Sequence, residues 1–255
     1  MSNLTMTKAT LLDKKTHASL YINNEPSTEF GDNINYIPIV ADELKQLVLD
    51  YPVYFMKNPQ TGQFELFVLT GFTAGENLFL HQGSWRAQHI PLHIKRQPFK
   101  LGLPDATITE PTDNDLAVLI HQDHPRVNTD TGERIFDQQG EPTTYLNTVC
   151  EQLMTLMHGN KRTSAFITTL LEHELLEAVQ LSLTQQGEKQ TYNGLYAINE
   201  QALAQLDAHA LKSLHEMGYL QACYMIIAST GHIQKLIGWL NETPKTTEHI
   251  VVKTQ

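Results

Sequence analysis

Histidine and carboxylate side chains are the residues of this sequence whose types and spacing could bind a metal ion. The strongest candidates lie in two short stretches, and they are His89, His93, His121, Asp123 and His124. Imidazole and carboxylate ligands would suit iron or zinc. In a strand, however, His121 and Asp123 share one face while His124 points to the other, and Pro91 prevents a regular helix between the first two histidines. Solvated loop histidines are therefore the favoured interpretation, and a metal site is the alternative.

The stretch from Trp85 to Phe99 combines basic, aromatic and proline residues. Its candidates for a binding surface are Trp85, Arg86, His89, His93, Arg96 and Phe99. Arginine can hold a carboxylate through a bidentate pair, and tryptophan and arginine are frequent at the centres of protein interfaces. The stretch could therefore bind a carboxylate or a peptide. The alternative is that the tryptophan and the prolines hold an irregular segment in the core, with Arg96 as a buried ion-pair partner.

Motifs for covalent or nucleotide chemistry do not occur in the sequence. It contains no G-x-S-x-G elbow, no S-x-x-K pair, no G-x-G-x-x-G loop and no Walker pattern. Carboxylate pairs such as Glu172 and Glu174 lack a neighbouring apolar pocket that would raise the pKa of one partner. The residues alone thus identify no reaction, and we expect no catalytic activity.

The charge of the chain argues against a nucleic-acid partner. Its 255 residues include 28 Asp and Glu but 18 Lys and Arg, which gives a formal net charge of −10. Phosphate backbones and anionic lipid repel such a surface. The first residues lack the apolar stretch of a signal peptide, and no apolar run is long enough to span a membrane. We expect a soluble, cytoplasmic protein that does not insert into a membrane.

Short apolar runs between turn residues predict strands in the first part of the chain. A helix over residues 41–49 should end before Pro52, and strands are expected at residues 53–56 and 64–70, with a turn between them. Further strand candidates lie at residues 78–80, 116–120 and 134–136. This part should therefore be rich in antiparallel sheet.

The apolar spacing changes to a helical period after Pro142. Two helices are expected, the first closing at Gly159–Asn160 and the second running from Ser164 to about Leu176. A hairpin over residues 179–198 follows. In the remainder, Asn199 and Asp207 are predicted helix N-caps, Gly218 is a predicted helix stop, and residues 219–228 form an apolar helix.

These elements predict a single α+β domain over residues 1–242. It has a strand-rich half at 30–140 and a helix-rich half at 141–242, and the hairpin at 179–198 completes a mainly antiparallel sheet. The C-terminal helices should pack on one face and one end of that sheet. Residues 243–255 are predicted to be a tail.

Several motifs occur in a recognisable order along the chain. They are Tyr51-Pro-Val-Tyr-Phe-Met-Lys57, Gly75-Glu-Asn-Leu-Phe-Leu80, Trp85-x3-His-Ile-Pro91 running into Arg96-x-Pro98-Phe99, Phe136-Asp137-x2-Gly140-Glu-Pro-Thr143, Gly194-Leu-Tyr-Ala-Ile-Asn-Glu-Gln-Ala-Leu203 and Leu214-His-Glu-Met-Gly-Tyr-Leu220. In this order and spacing they resemble the SapC family of bacterial proteins, over about residues 30 to 240.

The resemblance implies a bacterial setting and an accessory role beside other proteins. The family takes its name from a surface-layer-associated protein, and its genes often neighbour those of flavin-dependent tryptophan-halogenase-like proteins, cupin-like oxygenases and outer-membrane receptors. The peptide-permease label that some members carry does not suit this chain, because no apolar run could span a membrane. The matching residues are mostly Pro, Gly, Trp, Phe and Leu, so they specify a fold more than a reaction.

The favoured prediction is an S-layer-like accessory protein that binds a protein or peptide partner through the Trp85–Phe99 segment, without a cofactor and without catalysis of its own. A homodimer is compatible with the sequence, although no coiled-coil pattern supports one. The alternative is a metal-dependent enzyme that uses iron or zinc to modify peptide or amino-acid side chains.

Overall fold

The fold is seen in a computed structural model that describes residues 9–104, 112, 115–185, 188–242 and 247–254. The strands are β1 (Thr10–Leu11), β2 (Tyr21–Ile22), β3 (Tyr36–Pro38), β4 (Val53–Lys57), β5 (Phe64–Leu69), β6 (Leu80–His81), β7 (Ser84–Trp85), β8 (Phe99–Gly102), β9 (Ala117–Ile120), β10 (Val127–Asn128), β11 (Glu133–Arg134), β12 (Leu176–Gln185), β13 (Glu188–Ile198) and β14 (Thr247–Thr254). The α-helices are α1 (Leu44–Leu47), α2 (Leu92–Lys95), α3 (Thr144–Glu172), α4 (Glu200–Ala204), α5 (Ala208–Glu216), α6 (Tyr219–Ser229) and α7 (Ile233–Glu242).

Helices and antiparallel sheets together confirm the α+β class. The strands form a six-stranded sheet in the order β14-β12-β13-β4-β5-β3, two three-stranded sheets in the orders β1-β9-β8 and β10-β2-β11, and a ribbon of β6 and β7. The early strands therefore do not all join one sheet. Of the predicted strands in the first part of the chain, β4 pairs with the hairpin strand β13, and β5 pairs with β4.

The chain divides into two compact units. Unit 1 contains Met1–Asp32, Gln82–Ser84 and Leu92–Met157, and unit 2 contains Asn33–His81, Trp85–Pro91 and His158–Gln255. Each unit draws on stretches from both sides of residue 140, where the sequence suggested a change from a strand-rich to a helix-rich half. One domain over residues 1–242 stays a prediction.

Unit 1 has a hydrophobic core between its small sheets and the first turns of α3. Phe99 of β8 lies opposite Ile120 of β9, and both side chains are fully buried. Leu146, Val149 and Leu153 of α3 contribute to the same core, since their spacing places them on one face of the helix. This packing holds the β8–β9 pair and the loops that flank it.

Unit 2 contains the six-stranded sheet and the predicted hairpin. Strands β12 and β13 pair along their length, and Leu195 and Tyr196 of β13 pair with Met56 and Phe55 of β4. The turn that was predicted at 186–187 lies outside the described residues. The hairpin thus connects a distant part of the chain to β4 and β5, as the sequence predicts.

Strand β14 occupies residues that the sequence analysis assigned to a tail. It pairs with β12, with Val179 opposite Thr254 and Leu183 opposite Ile250. The segment contains Ile250, Val251 and Val252, and β-branched residues favour strands. Pairing with β14 also satisfies the backbone groups that β12 would otherwise leave open along its edge.

Local signals at the C-terminal helices are confirmed. The Asn199 side chain accepts a hydrogen bond from the Ala202 N–H at 2.9 Å, and the Asp207 side chain accepts one from the Ala210 N–H at 2.8 Å. Gly218 has a φ of 75° and separates α5 from α6. Side-chain caps and a left-handed glycine depend on nearby residues only, which explains why the sequence reveals them.

The break predicted at Gly159–Asn160 is wrong, because α3 continues from Thr144 to Glu172. A Cβ atom on Gly159 would lie 2.7 Å from Cγ2 of Val40. The neighbouring Ala41 N–H donates to the Thr163 hydroxyl at 2.8 Å. Gly159 therefore allows the 40–41 backbone to lie close to the helix, rather than ending the helix.

Replacing Gly159 with alanine should lower the free energy of unfolding by about 1–3 kcal/mol, because the added methyl group would clash with Val40. The loss is expected even though alanine favours helix by about 1 kcal/mol over glycine. Urea unfolding followed by far-UV circular dichroism would measure it.

Gly238→Ala is the matched control. Gly238 also lies within a helix, α7, but a Cβ atom there meets open space. This variant should be as stable as the parent or more stable. If the Gly159→Ala variant were as stable as the Gly238→Ala variant, the close approach of Val40 to the helix would be contradicted.

Candidate functional site

The Trp85–Phe99 segment is divided between the two units. Residues 85–91 belong to unit 2, and the residues from Leu92 onward belong to unit 1. The candidate binding residues therefore fall into two groups, Trp85, Arg86 and His89 in one and His93, Arg96 and Phe99 in the other.

In unit 2, Trp85 is fixed by a chain of hydrogen bonds. Its indole Nε1–H donates to the Tyr51 hydroxyl at 2.5 Å, and that hydroxyl donates to the His89 carbonyl at 2.7 Å. The Tyr51 ring is fully buried and stacks on Phe79, with ring centroids 4.2 Å apart. Burial raises the pKa of Tyr51 far above its ordinary value, so the hydroxyl keeps the proton that it donates.

Two cations lie over aromatic rings next to this chain. The Arg86 guanidinium is 5.0 Å from the Trp239 ring centroid, and the Lys235 ammonium is 5.3 Å from the same centroid. Lys235 also lies 5.4 Å from the Phe79 ring, and its Nζ is 3.5 Å from a carboxylate oxygen of Asp50. Trp239 meets Phe79 edge to face at 5.1 Å. Such contacts fix cationic side chains against apolar surface.

We call this group the aromatic–cation cluster, and its members are Tyr51, Phe79, Trp85, Arg86, Lys235 and Trp239. Trp85 and Arg86 are among the binding residues predicted from the sequence, whereas the other four are not. Lys235 and Trp239 lie on the helix α7, far along the chain, and no local pattern connects them to Trp85. Their spacing within α7, four positions apart, places them on one helix face.

His89 lies beside the aromatic–cation cluster through its backbone rather than its ring. Its carbonyl accepts the hydrogen bond from Tyr51. Its ring atom Nδ1 is buried and has no hydrogen-bond partner among the described residues. His89 therefore positions Tyr51, and its ring makes no polar contact there through Nδ1.

In unit 1, the short helix α2 places His93 and Arg96 one turn apart. The Arg96 N–H donates to the Leu92 carbonyl at 2.9 Å, and its guanidinium donates to the Phe99 carbonyl at 2.7 Å. Both side chains are half-buried. Burial lowers the pKa of Arg96, and burial together with the Arg96 charge lowers the pKa of His93 to about 4.

Phe99 does not present its ring to a partner. The side chain is 0% exposed and belongs to the core of unit 1. Phe99 therefore packs in the core of unit 1, and the binding role predicted for it has no exposed ring to act through. The Arg96 guanidinium meets the Phe99 carbonyl, and the buried ion pair suggested for Arg96 stays a prediction.

The loop after β9 holds His121, Asp123 and His124. Nε2 of His124 lies 3.1 Å from the Gln97 side-chain oxygen, and Nδ1 of His124 accepts from the Arg126 N–H at 3.2 Å. Burial, with a contribution from Arg126, lowers the pKa of His124 to about 4. His124 is therefore neutral at pH 7 and bonded at both ring nitrogens, whereas Asp123 is exposed.

A buried ion pair anchors this loop. The Arg126 guanidinium donates to both carboxylate oxygens of Asp32, at 2.6 and 2.7 Å, and both side chains are almost inaccessible to solvent. Arg126 also donates to the carbonyls of Asn23 and Glu25, and it lies 4.9 Å from the Phe30 ring. The two charged residues are 94 positions apart, and nothing local in the sequence indicates the pair.

The metal alternative gains no geometric support. Across the described part of the chain, no group of three or more His, Cys, Asp or Glu side chains is arranged to hold a metal ion. Of the residues proposed as ligands, His89 belongs to unit 2 and the others belong to unit 1. His124 already has partners at both ring nitrogens within unit 1.

Replacing Asp32 with asparagine should lower the free energy of unfolding by about 3–5 kcal/mol, because it leaves the buried Arg126 charge without a counter-charge. Asp42→Asn is the control, since Asp42 pairs with Arg162 at an exposed position and exposed pairs contribute little. Urea unfolding of the two variants would measure the difference. Equal effects of the two substitutions would contradict a special role for the Arg126–Asp32 pair.

Comparison with known proteins identifies the family. The SapC family model matches residues 12–236, which is most of the chain. The protein therefore belongs to the SapC family, as its motifs suggested. Comparisons with curated proteins and with solved structures give no match. No helix in the described residues is both long enough and apolar enough to cross a membrane.

Proposed function

We propose that this SapC-family protein is an accessory protein that binds a protein or peptide partner and catalyses no reaction itself. The observation that carries the proposal is the aromatic–cation cluster of unit 2. Trp85, Arg86 and Trp239 are half-buried, so each keeps part of its side chain available for contact. Tryptophan, tyrosine and arginine are the residue types that supply most of the binding energy at protein interfaces.

The hydrogen bonds within the aromatic–cation cluster favour binding because they reduce the entropy that association costs. Trp85 is held through its indole N–H by a buried tyrosine, and Arg86 is held over Trp239. Side chains that are already fixed lose little conformational freedom when a partner arrives. The aromatic–cation cluster is therefore preorganised for partner binding.

The chemistry of the cluster suits a partner that presents an apolar group next to a carboxylate. The two tryptophan rings offer apolar surface, and Arg86 and Lys235 supply positive charge beside it. A guanidinium can bind a carboxylate through two parallel hydrogen bonds. An acidic residue or a chain terminus flanked by apolar side chains has both features.

The setting of this activity comes from the family resemblance and the sequence. It includes a cytoplasmic location and a role beside halogenase-like or cupin-like enzymes, or in a surface-layer or outer-membrane receptor system. The identity of a captured partner would select among these settings. Native mass spectrometry of the captured protein would also report whether the chain forms a homodimer.

Arg86→Ala should weaken partner binding at least about tenfold, which corresponds to about 1.4 kcal/mol, because it removes the guanidinium that faces the partner. The measurement is capture of a stoichiometric partner from host extract by the tagged full-length protein, followed by native mass spectrometry and a binding titration. Far-UV circular dichroism would verify that the variant is folded.

Lys212→Ala is the control for this experiment. Lys212 is an exposed cation on α5 of the same unit, and it pairs with Glu216 one helical turn away. Its loss should leave capture unchanged. Equal capture by the parent and the folded Arg86→Ala variant would show that the partner binds elsewhere.

The alternative of a metal-dependent enzyme acting on peptide or amino-acid side chains stays a prediction. It requires stoichiometric iron or zinc in protein purified without chelator, and a melting temperature that rises when either ion is added. Elemental analysis and thermal unfolding would test both requirements. Metal at background level together with an unchanged melting temperature would remove this alternative.

A further inference from the structure

We propose that Asn193 is a site of covalent self-modification, at which the side chain loses ammonia and becomes aspartate or isoaspartate, with Gln180 as the positioning residue. Asparagine before glycine is prone to this reaction, because glycine has no side chain to hinder attack by its backbone nitrogen. Asn193-Gly194 is the only such pair in the sequence. The fold decides whether the pair can react, since a regular helix or strand restrains the backbone.

The Asn193-Gly194 pair forms a bulge in the hairpin. Between two paired positions β12 has one residue, Gln180, whereas β13 has both Asn193 and Gly194. On its other side, β13 pairs with β4 through Leu195 and Tyr196. A bulge disrupts the ladder locally and leaves a residue unpaired. The peptide bond between Asn193 and Gly194 therefore lies outside the regular ladder.

The bulge is open to solvent. Asn193 and Gly194 are both exposed, and a Cβ atom built on Gly194 would meet no atom of the described residues within 4 Å. Gly194 has a φ of 86°, a conformation that glycine adopts readily in bulges. Ring closure on the backbone and later hydrolysis both need space and water, and this part of β13 offers both.

Gln180 holds the amide that would react. Its Nε2–H donates to the Asn193 side-chain oxygen at 2.7 Å. Negative charge develops on this oxygen when a nucleophile adds to Cγ of Asn193. A donor that already points at such an oxygen stabilises the charge as it forms. Gln180 therefore orients and polarises the Asn193 amide.

The reaction needs water as its single co-reactant. The Gly194 backbone nitrogen loses its proton and bonds to Cγ of Asn193, an intramolecular attack that is favoured by proximity. The Cγ–Nδ2 bond then breaks, and Nδ2 leaves as ammonia. Water opens the cyclic imide at either carbonyl, which gives aspartate or isoaspartate without any change of oxidation state. Both products add a negative charge, and isoaspartate also adds a methylene group to the backbone of β13.

Prolonged incubation of the full-length protein, followed by peptide mass spectrometry, tests the site. The peptide that contains residue 193 should gain the mass by which an oxygen atom exceeds an NH group, in two forms that chromatography separates. Its conversion should be faster at mildly alkaline than at neutral pH, because the attacking nitrogen must lose its proton.

Two other asparagines are internal controls in the same digest. Asn58 precedes Pro59, whose nitrogen carries no proton to lose. Asn160 lies inside α3, where the helix holds the following N–H in a hydrogen bond. Neither should be converted while Asn193 is.

Substitutions on the hairpin test the role of Gln180. Gln180→Ala removes the donor and should slow the conversion of Asn193 several-fold. Gln180→Glu keeps the shape without an N–H donor, and it should be slow as well. Gln190→Ala is the control, since Gln190 is exposed on β13 and its side-chain oxygen accepts from the Tyr192 hydroxyl at 2.8 Å. Far-UV circular dichroism would verify that each variant is folded.

The proposal is overturned if Asn193 stays intact under conditions that convert a short synthetic peptide with the same local sequence, or if Asn58 and Asn160 gain mass equally fast. Conversion at the parental rate in both Gln180 variants would overturn the positioning role of Gln180. These outcomes are independent of partner capture, which is tested at Arg86.

Discussion

The buried ion pair between Arg126 and Asp32 is the interaction on which the loops of unit 1 depend. Burying a charge without a partner is costly, so the two side chains must stay together while unit 1 is folded. Arg126 also holds the carbonyls of Asn23 and Glu25, and its own backbone N–H bonds to His124. Arg126 therefore fixes the 23–32 segment through its guanidinium and the orientation of the His124 ring through its backbone N–H.

The same requirement, that a buried polar group must have a partner, organises unit 2. The Tyr51 hydroxyl lies among buried side chains, and it is satisfied by Trp85 and by the His89 carbonyl. Both partners come from the 85–91 stretch. The hydroxyl thus determines where this stretch lies, and the stretch in turn carries Arg86 to the face of Trp239.

The arginines of this protein differ in burial and in the groups that hold them. Arg126 is buried and paired with the carboxylate of Asp32, so it stabilises the fold. Arg86 and Arg96 are half-buried and held by an aromatic ring and a carbonyl, respectively. Such a cation is already oriented and partly desolvated, which is the state in which an anionic group is bound most effectively.

The sequence by itself determined the features that depend on nearby residues. The caps at Asn199 and Asp207, the glycine at 218, the hairpin strands and the α+β class all follow from local backbone preferences and from side-chain periodicity. The order of the SapC motifs likewise identified the family. The caps and the glycine at 218 could be read from the sequence because each involves residues within a few positions of one another.

Only the tertiary structure decided which distant residues meet. A glycine such as Gly159 is locally typical of a helix end, but here it lies inside α3 and allows Val40 to approach the helix. Trp239 and Lys235 join Trp85 and Arg86, Asp32 joins Arg126, and Phe99 enters the core. Each of these contacts is selected by packing and by the need to pair buried polar groups across long stretches of chain. Neither the periodicity nor the composition of the sequence indicates which of these residues meet.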